Sequence, residues 1–416
     1  MAGTMKNTVI KSIWVTLAII LFFLFSCAPT QQVEIMSKDE NLLEGYKIMQ
    51  RTKLPAKEGD VYSLTLNSDG KRLAYLWRGK RRSSVWIGDK KVSPDFGNIT
   101  ELIAFCPDGS KVAYSAEARF NNMSVWVNNS RISPEFSQIV DVVFSPDCST
   151  VAYRAVTHRD FDPKAWGKNS IWINGTRVSP EGSSAYPRLP IFSPDGSKVA
   201  YIAEIDKKWS VWINDKRVSP EFDMIEGDLI FSPDGSSVAY TGVRDKIASI
   251  WIDGKRQFDN AYGPVFSPDG SKIAYRKVEG GAWSVYINNK KVSPQFRFVS
   301  RLAFSSDGSK VAYSAGGDKE NQYVWINDKR VSPEFSPFLI GDLVFSPDGS
   351  SVAYRVLYRG KNGFIWSIWI NDKRVSPEFH NVKFAKEHFS KTGEIIFAGF
   401  DSEKREILHA IPVSTR

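Results

Sequence analysis

Histidine and cysteine are scarce in this chain, and their scarcity limits the chemistry it can carry. Its 416 residues include four His and three Cys. The histidines, at 158, 380, 388 and 409, are scattered, and their spacing matches no pattern of metal ligands. The sequence has no Gly-x-Ser-x-Gly elbow, no Gly-rich phosphate loop and no EF-hand loop. We therefore expect no metal and no cofactor.

A long apolar run is also missing, since the only candidate, residues 13–25, is shorter than the roughly 20 residues that span a membrane. Lys6 and Lys11 precede this run, and Ser26 and Cys27 end it, which is the layout of a secretory signal. The segment 24–27, Leu-Phe-Ser-Cys, resembles a bacterial lipoprotein signal. That resemblance implies a signal peptide over residues 1–26 and lipidation of Cys27, with an uncleaved anchor as the alternative. Residues 27–58 then form a tether.

The two remaining cysteines replace residues of a repeated turn. Cys106 stands in a Ser position of that turn, and Cys148 stands in a Gly position of the next copy. A disulfide requires Cα atoms within about 7 Å, and neighbouring blades seldom offer that distance. We therefore expect two free thiols, with a disulfide as the alternative.

Eight copies of a Ser-Pro-Asp-Gly turn divide most of the chain into repeats. Their intervals of 35 to 48 residues are typical of propeller blades and not of helical repeats. The turn aspartates are Asp69, Asp108, Asp147, Asp195, Asp234, Asp269, Asp307 and Asp348. Within the turn, Pro presets φ and Gly takes the positive φ that follows, so short apolar runs on either side form a hairpin.

Two further segments complete each repeat. Asn-Gly, Asp-Gly or Asn-Asp pairs supply a second tight hairpin, since these residues tolerate positive φ. The strand after it reads Lys-Arg-Val-Ser-Pro-Glu-Phe in most copies, and Pro with paired cations is typical of an outer edge strand. Lys6 and Lys11 account for two of the nine net positive charges, and the remaining +7 is distributed over the repeats, which disfavours a nucleic-acid partner.

These parts predict an all-β chain, a single β-propeller of four-stranded antiparallel blades over residues 59–416. Eight full repeats are followed by a degenerate ninth at 383–412, to which residues 46–50 could add the fourth strand, so eight to nine blades are expected. Seven tryptophans and one tyrosine occupy one slot of the third strand, and we interpret them as spacers between blades. They are Trp86, Trp126, Trp172, Trp212, Trp251, Tyr286, Trp325 and Trp369.

The motif Phe-Ser-Pro-Asp-Gly-Ser-Lys-Val-Ala-Tyr resembles the TolB-like, distantly WD40-like, bacterial propeller repeat over residues 61–400. The resemblance implies a secreted or lipid-anchored envelope protein, and Ala28 after the lipidated Cys favours the outer membrane, facing the periplasm or the cell surface. Residues 28–60 are too few for the α/β domain that precedes the TolB propeller. Membership of the same envelope system is therefore not implied.

Function is expected where the repeats differ. The turns within the first and second hairpins barely vary, while the loops at the opposite end differ in length and composition, and divergent loops on a rigid scaffold commonly bind partners. Aromatic and Arg side chains there suit a protein, peptide or glycan partner. The candidates are Trp77, Arg81, Phe120, His158, Arg159, Phe161, Trp166, Trp209, Trp283, Tyr358, Arg359 and Trp366.

The expected function is non-catalytic binding by an envelope protein held to the membrane through a lipid anchor. The alternative is an envelope hydrolase or lyase that acts on a glycan or peptide at the propeller channel. Such channel sites take acidic or His residues from several blades, so one sequence does not reveal them.

Overall fold

The computed structural model describes residues 46–53, 59–119, 122–156, 169–180, 189–317, 321–335, 340–360, 363–376, 382–389, 395–401 and 406–412. Its strands form nine four-stranded antiparallel sheets. The all-β propeller of four-stranded antiparallel blades is thus confirmed. Eight sheets correspond to the eight full repeats, and the ninth combines the two ends of the chain. Among the described residues no helix is long and apolar enough to cross a membrane.

In each full repeat the strands follow one another from the inner to the outer strand of a blade. Blade 1 has β2 (Asp60–Leu66), β3 (Leu73–Arg78), β4 (Ser83–Ile87) and β5 (Lys90–Lys91). Blade 2 has β6 (Ile99–Phe105), β7 (Val112–Arg119), β8 (Asn122–Val127) and β9 (Ser130–Arg131). Blade 3 has β10 (Gln138–Phe144), β11 (Val151–Val156), β12 (Asn169–Ile173) and β13 (Thr176–Arg177). Blade 4 has β14 (Ile191–Phe192), β15 (Val199–Ile205), β16 (Lys208–Ile213) and β17 (Lys216–Arg217).

The next four blades follow the same order. Blade 5 has β18 (Met224–Phe231), β19 (Val238–Arg244), β20 (Ile247–Ile252) and β21 (Lys255–Asp259). Blade 6 has β22 (Ala261–Phe266), β23 (Ile273–Glu279), β24 (Ala282–Ile287) and β25 (Lys290–Lys291). Blade 7 has β26 (Phe298–Phe304), β27 (Val311–Gly316), β28 (Tyr323–Ile326) and β29 (Lys329–Arg330). Blade 8 has β30 (Ile340–Phe345), β31 (Val352–Gly360), β32 (Gly363–Ile370) and β33 (Lys373–Arg374).

The ninth sheet has the order β1 (Tyr46–Lys53), β36 (Glu406–Pro412), β35 (Ile395–Asp401) and β34 (Val382–Phe389). Its β1 pairs antiparallel with β36. Strand β34 contacts the inner strands of both neighbours, β30 and β2, and so closes the ring. The tether expected over residues 27–58 therefore includes a propeller strand, because the C-terminal repeat supplies only three strands and the N-terminal segment provides the missing one.

The core lies between blades and is built around one tyrosine per full repeat. These tyrosines sit in the second strand of each blade and are essentially inaccessible: Tyr75, Tyr114, Tyr153, Tyr201, Tyr240, Tyr275, Tyr313 and Tyr354. The tryptophans expected to be the main spacers are only partly buried in most blades, and Trp86, Trp172 and Trp212 stack on the tyrosine of the same blade. The tyrosine row is therefore the inner framework, and the tryptophans cover it from the outer strands.

A phenylalanine after the outer strand joins one blade to the next. Phe222, which follows blade 4, makes edge contacts with Tyr240 and Trp251 of blade 5 at centroid distances of 5.7 and 5.0 Å. Its backbone still pairs with Trp209 of its own blade. The same Phe lies between blades in the copies at 96, 136, 296 and 335. Such an apolar wedge buries ring surface on both sides and holds neighbouring sheets in register.

The antiparallel order gives the propeller two different ends. At one end, six residues join the first and second strands, and two residues join the third and fourth, in all eight full repeats. We call this the framework face. At the other end, the link between the second and third strands has two residues in blades 2, 4, 5, 6 and 8, four in blade 1, six in blade 7 and twelve in blade 3, so its sequence varies throughout and its length varies in three blades. We call this the variable-loop face.

The expectation of two free thiols was wrong. Cys106 and Cys148 form a disulfide with a Cα–Cα distance of 5.5 Å. The turns of neighbouring blades touch, since a Cβ placed on Gly235 would lie 3.4 Å from the Cβ of Ser193 in the previous turn. Cys106 and Cys148 occupy this same pair of positions in blades 2 and 3. Adjacent blades therefore do offer disulfide distance, at the inner turns.

Candidate functional site

Four of the twelve candidate residues have described side chains, and these side chains are either exposed or packed against their blades. Arg81 is exposed on the variable-loop face. Trp77 is partly buried, and a Cβ on Gly59 or Gly79 would come within 2.7 or 2.6 Å of its ring. Trp209 and Trp283 pack against the hydrophobic clusters between their blades. These three tryptophans therefore contribute to blade packing as well as to the face.

The remaining candidates lie outside the described residues or side chains. Phe120 and the long blade 3 loop with His158, Arg159, Phe161 and Trp166 are not described. Tyr358 and Arg359 belong to β31, and Trp366 belongs to β32. Only the backbone of these three residues is described. Cys27 also lies outside the described residues.

A set of exposed apolar side chains was missed by the sequence reasoning. Among the described residues, the large hydrophobic side chains with the greatest exposure are Leu189, Ile205, Met224 and Ile247, at 36 to 47%. All four lie at the variable-loop end of blades 4 and 5, where strands start or end. We call this set the apolar rim. No sign of them was visible in the sequence, because Ile205 and Ile247 stand beside charged residues such as Asp206, Lys207, Asp245 and Lys246.

A cluster of aromatic and charged side chains lies next to the apolar rim, in blade 6. The rings of Tyr262 and Trp283 are 5.2 Å apart at an angle of 58°. The guanidinium carbon of Arg276 lies 5.8 Å from the centroid of the Trp283 ring. We call these three residues the arginine cluster. Only Trp283 was among the candidates from sequence.

The arginine cluster connects three blades. Nη1 of Arg276 donates a hydrogen bond of 3.0 Å to the carbonyl oxygen of Val299 in blade 7. The carboxylate of Glu226 in blade 5 acts on both Arg276 and Tyr262. Burial lowers the pKa of Arg276, the charge of Glu226 counters this, and the nearby charge of Arg301 adds to it. Burial also raises the pKa of Tyr262, so its hydroxyl stays protonated at neutral pH.

The framework face holds its own charges in fixed local contacts. In blade 5 the hydroxyl of Ser232 donates to Asp234 Oδ1 at 2.5 Å, and the backbone N–H of Ser236 donates to the same oxygen at 3.0 Å. These hydrogen bonds lower the pKa of Asp234 to about 2. The turn carboxylates thus stay charged and stabilise their own turns, and they are poorly suited to proton transfer near neutral pH.

One group of possible metal ligands exists in the described part of the chain. A carboxylate oxygen of Asp108 and the sulfurs of Cys106 and Cys148 all lie within 4.8 Å of one another. The two sulfurs are joined in the disulfide. Since the thiolate is the metal-binding form of cysteine, this group carries a covalent link between blades and not a metal centre.

Comparison with known proteins gives similarity of fold only. No family model matches the chain, and no curated protein matches it. A crystal structure of the eukaryotic initiation factor has a TM-score of 0.52 at 15% identity, covering 79% of this chain and 91% of that chain. The β-propeller domain of the Trilobed protease from Pyrococcus furiosus, with an open velcro topology, has a TM-score of 0.41 at 14% identity and covers 77% and 98%.

The Kuenenia stuttgartiensis hydrazine synthase has a TM-score of 0.33 at 14% identity, covering 66% of this chain and 97% of that chain. Identities at this level carry no information on activity or partner. The first of these likenesses and the sheet topology agree, and this chain has a β-propeller fold.

Proposed function

We propose that the protein is a non-catalytic, lipid-anchored envelope protein that binds a partner through its variable-loop face. The apolar rim is the observation that carries this proposal. Exposed large hydrophobic side chains gathered at one site are typical of interaction surfaces. On this propeller, Leu189, Ile205, Met224 and Ile247 all gather at the end where the loops differ between blades.

The disulfide supports the envelope location. Disulfides persist in oxidising compartments such as the periplasm and the cell surface, and are rare in the cytosol. A covalent bond between Cys106 and Cys148 therefore agrees with export under the signal of residues 1–26. The TolB-like repeat adds to the same proposal, since such repeats occur in secreted and lipid-anchored proteins.

The alternative of a channel enzyme has less support. In the described residues no three carboxylate or histidine side chains converge on one point. The one group of three possible ligands consists of Asp108 and the two cysteines of the disulfide. The turn aspartates have lowered pKa values, about 2 at Asp147, Asp195 and Asp234, which is below the range useful for general acid or base catalysis. We therefore favour binding over catalysis.

Site-specific photo-crosslinking in intact envelopes tests the proposal. A benzophenone amino acid replaces Ile205, Met224 or Ile247 on the variable-loop face, and Asp215 or Asn289, both exposed, on the framework face as matched controls. We expect one shared adduct mass from the apolar rim and none from the controls. Equal capture from both faces, or none from the rim, contradicts the proposal.

A further inference from the structure

One interior position of the second strand carries an arginine in three blades, and its surroundings differ between them. The residue after the buried tyrosine is Arg154 in blade 3, Arg276 in blade 6 and Arg355 in blade 8. The position three residues before the end of the first strand is Asp141 in blade 3, Gly263 in blade 6 and Asp342 in blade 8. Blade 6 thus has the arginine without the acid.

Blade 3 shows what the aspartate does. Asp141 lies directly opposite Arg154 in the strand pairing. Its Oδ2 lies 2.9 Å from Nη2 and 3.1 Å from Nε of Arg154. Nη1 of Arg154 donates to Asn169 Oδ1 at 3.2 Å. The side chain of Arg154 is 9% exposed, so its charge is buried and paired with a carboxylate of its own chain.

In blade 6 a glycine stands at the same distance from the end of the first strand as the aspartate of blade 3, and the bulge there places Tyr262 opposite Arg276 in the strand pairing. A Cβ on Gly263 would lie 2.9 Å from Nη2 and 3.3 Å from Nε of Arg276, the two nitrogens that the aspartate contacts in blade 3. Among the described residues Arg276 donates a hydrogen bond to the carbonyl of Val299, and the acidic group that acts on its charge is Glu226 of blade 5 and not a residue of its own blade. Gly263 has a φ of +59°, at a β-bulge of the inner strand. Bulges of this kind re-aim backbone and side chains near functional sites.

We propose that Arg276 binds a carboxylate of a peptide partner, which has the role that Asp141 has for Arg154. This inference rests on the proposed function and names the group that the variable-loop face recognises. A guanidinium presents paired N–H donors that match a carboxylate, and a partly buried one gains more from such a partner than an exposed one.

The aromatic residues favour a peptide over an acidic sugar. Sugar recognition needs a free ring face on which the pyranose stacks. The Trp283 ring already has Tyr262 tilted against it and Arg276 over it, and both aromatic side chains are partly buried. An Asp or Glu side chain, or a C-terminal carboxylate, needs only the guanidinium edge. The apolar rim next to the cluster then contacts the neighbouring residues of the peptide.

Three peptide pools provide the probe. All are heptapeptides with randomised flanks. The first pool has a central Glu and the second a central Gln, and both are acetylated and amidated at their ends. The third pool has a central Gln and a free C-terminal carboxylate. Each is passed over the immobilised full-length protein at 150 mM salt, about the physiological ionic strength. We expect at least about tenfold more retention of one carboxylate pool than of the neutral pool, as for a charge-assisted contact.

Two variants remove this preference by opposite routes. Arg276→Met deletes the cation. Gly263→Asp supplies an internal carboxylate, and aspartate tolerates positive φ better than most residues. Both should bring the retention of the carboxylate pools down to that of the neutral pool, and Arg276→Met should keep the thermal midpoint. In Gly263→Asp the new Cβ would lie 2.9 Å from Nη2, so the guanidinium must shift and the midpoint falls. Arg81→Met removes an exposed cation of the same face and should keep the preference, which controls for the net positive charge of the protein.

Arg154→Met gives a structural contrast. It leaves Asp141 buried without its partner and should lower the thermal midpoint, which Arg276→Met should not do. A carboxylate preference retained by Arg276→Met overturns the proposal. Binding of glucuronate oligosaccharides that depends on Arg276, with no peptide bound, overturns the peptide assignment.

The failure of this inference is separable from failure of the proposed function. Capture of a partner at the apolar rim that persists in Arg276→Met leaves the proposed function standing and removes the role of Arg276. Peptide binding by the purified protein that depends on Arg276, with no capture of a partner in envelopes, supports the role of Arg276 and contradicts the proposed function.

Discussion

Serine before proline decides how the outer strand ends in every full repeat except blade 5, whose outer strand reads Lys-Arg-Gln-Phe-Asp. In blade 4 the hydroxyl of Ser219 accepts the backbone N–H of Val211 at 2.8 Å and donates to the carbonyl of Pro220 at 2.7 Å. The hydroxyl therefore takes the place of a backbone acceptor in the sheet. Pro220 has no N–H to leave unpaired, and the chain can turn so that Phe222 reaches the next blade. One dipeptide thus sets both the end of a sheet and its contact with the neighbour.

The aspartate of the framework turn is a second residue whose sequence position predicts its environment. Asp147, Asp195, Asp234, Asp269 and Asp348 each have a pKa lowered to about 2, first by the hydroxyl of the Ser two positions earlier. A lowered pKa in the folded state means that protonation favours the unfolded chain. This contribution is complete above about pH 4 and is lost as the pH falls toward about 2.

Asp234→Asn should therefore make the protein less stable at neutral pH. The variant should also lose less stability than the wild type when the pH is lowered. At pH 6 the variant lacks the charge-assisted hydrogen bonds, so its thermal midpoint lies below that of the wild type, while at pH 2.5 the two midpoints converge. Differential scanning calorimetry at both pH values measures this. Asp215→Asn, at an exposed aspartate whose side chain is not part of such a turn, is the control. A constant difference between the variant and the wild type across the pH range would contradict this account.

At the scale of elements, the inner turns of neighbouring blades form a close contact that recurs around the ring. The turn glycine of one blade lies against the turn serine of the previous blade, with Cβ contacts of 3.7, 3.4, 3.3 and 3.4 Å at Gly196, Gly235, Gly308 and Gly349. Lysines add to it, as Lys198 Nζ donates to the carbonyl of Gly235 at 2.8 Å. The disulfide replaces one such contact by a covalent bond, and its location is therefore an outcome of blade packing.

The Cys106–Cys148 bond should stabilise the propeller by limiting its unfolded chain. A bond that closes a loop with a sequence separation of 42 corresponds to about 4 kcal/mol in the chain-entropy model. We expect a reductant to lower the thermal midpoint of the wild type by several degrees. The double variant Cys106→Ser with Cys148→Gly restores the pair of the other blades and relieves the positive φ of Cys148, so it should lose less.

The double variant is also the control, because its midpoint should not respond to reductant. Mass spectrometry under alkylating conditions confirms the bond in the wild type. An unchanged midpoint of the reduced wild type would show that the bond has no part in stability.

At the scale of the whole molecule, the ring is closed by the two ends of the chain. Strand β1 pairs with β36 over residues 46–53 and 406–412. Hydrogen bonds between the first and last parts of a chain prevent the terminal blade from opening along its edge. The N-terminal segment that precedes β1 therefore starts from the ring itself, and it links the propeller to Cys27.

The lipid anchor is testable at this scale. Cys27→Ser removes the thiol that carries the acyl chain, so we expect the protein to move from the membrane fraction to the soluble fraction of the envelope. Ser26→Ala, which keeps a small residue before the cysteine, should leave it in the membrane fraction. Fractionation followed by immunoblotting measures both. Membrane retention of Cys27→Ser would contradict lipidation.

The repeat made most of the fold predictable. Turn chemistry at Asp234, the outer-edge cations at Lys216–Arg217 and the length of the repeats are local properties, and local properties are written in the sequence at each copy. Strand arithmetic also indicated that the N-terminal segment could complete a ninth blade. The tryptophans do lie between blades, as predicted, but the more deeply buried row of tyrosines was not singled out, because depth between blades depends on the neighbouring sheet.

The candidate site was much less predictable. Trp77, Trp209 and Trp283 were chosen as exposed loop residues, yet all three pack against the cores of their blades. Large aromatic side chains favour both interfaces and interiors, and a single sequence does not separate the two uses. The exposed Ile205 and Ile247 carried no signal, because an apolar residue at a strand end is typical of any sheet.

The sequence alone therefore determined the strand order within each blade, the framework turns and the number of full repeats. The tertiary structure decided three other features: the pairing of Cys106 with Cys148, the exposure of the apolar rim, and the difference between Arg154, with its aspartate, and Arg276 beside Gly263. The physical reason is common to all three. Each depends on the distance between residues of different strands or blades, and the period of a repeat does not contain that distance.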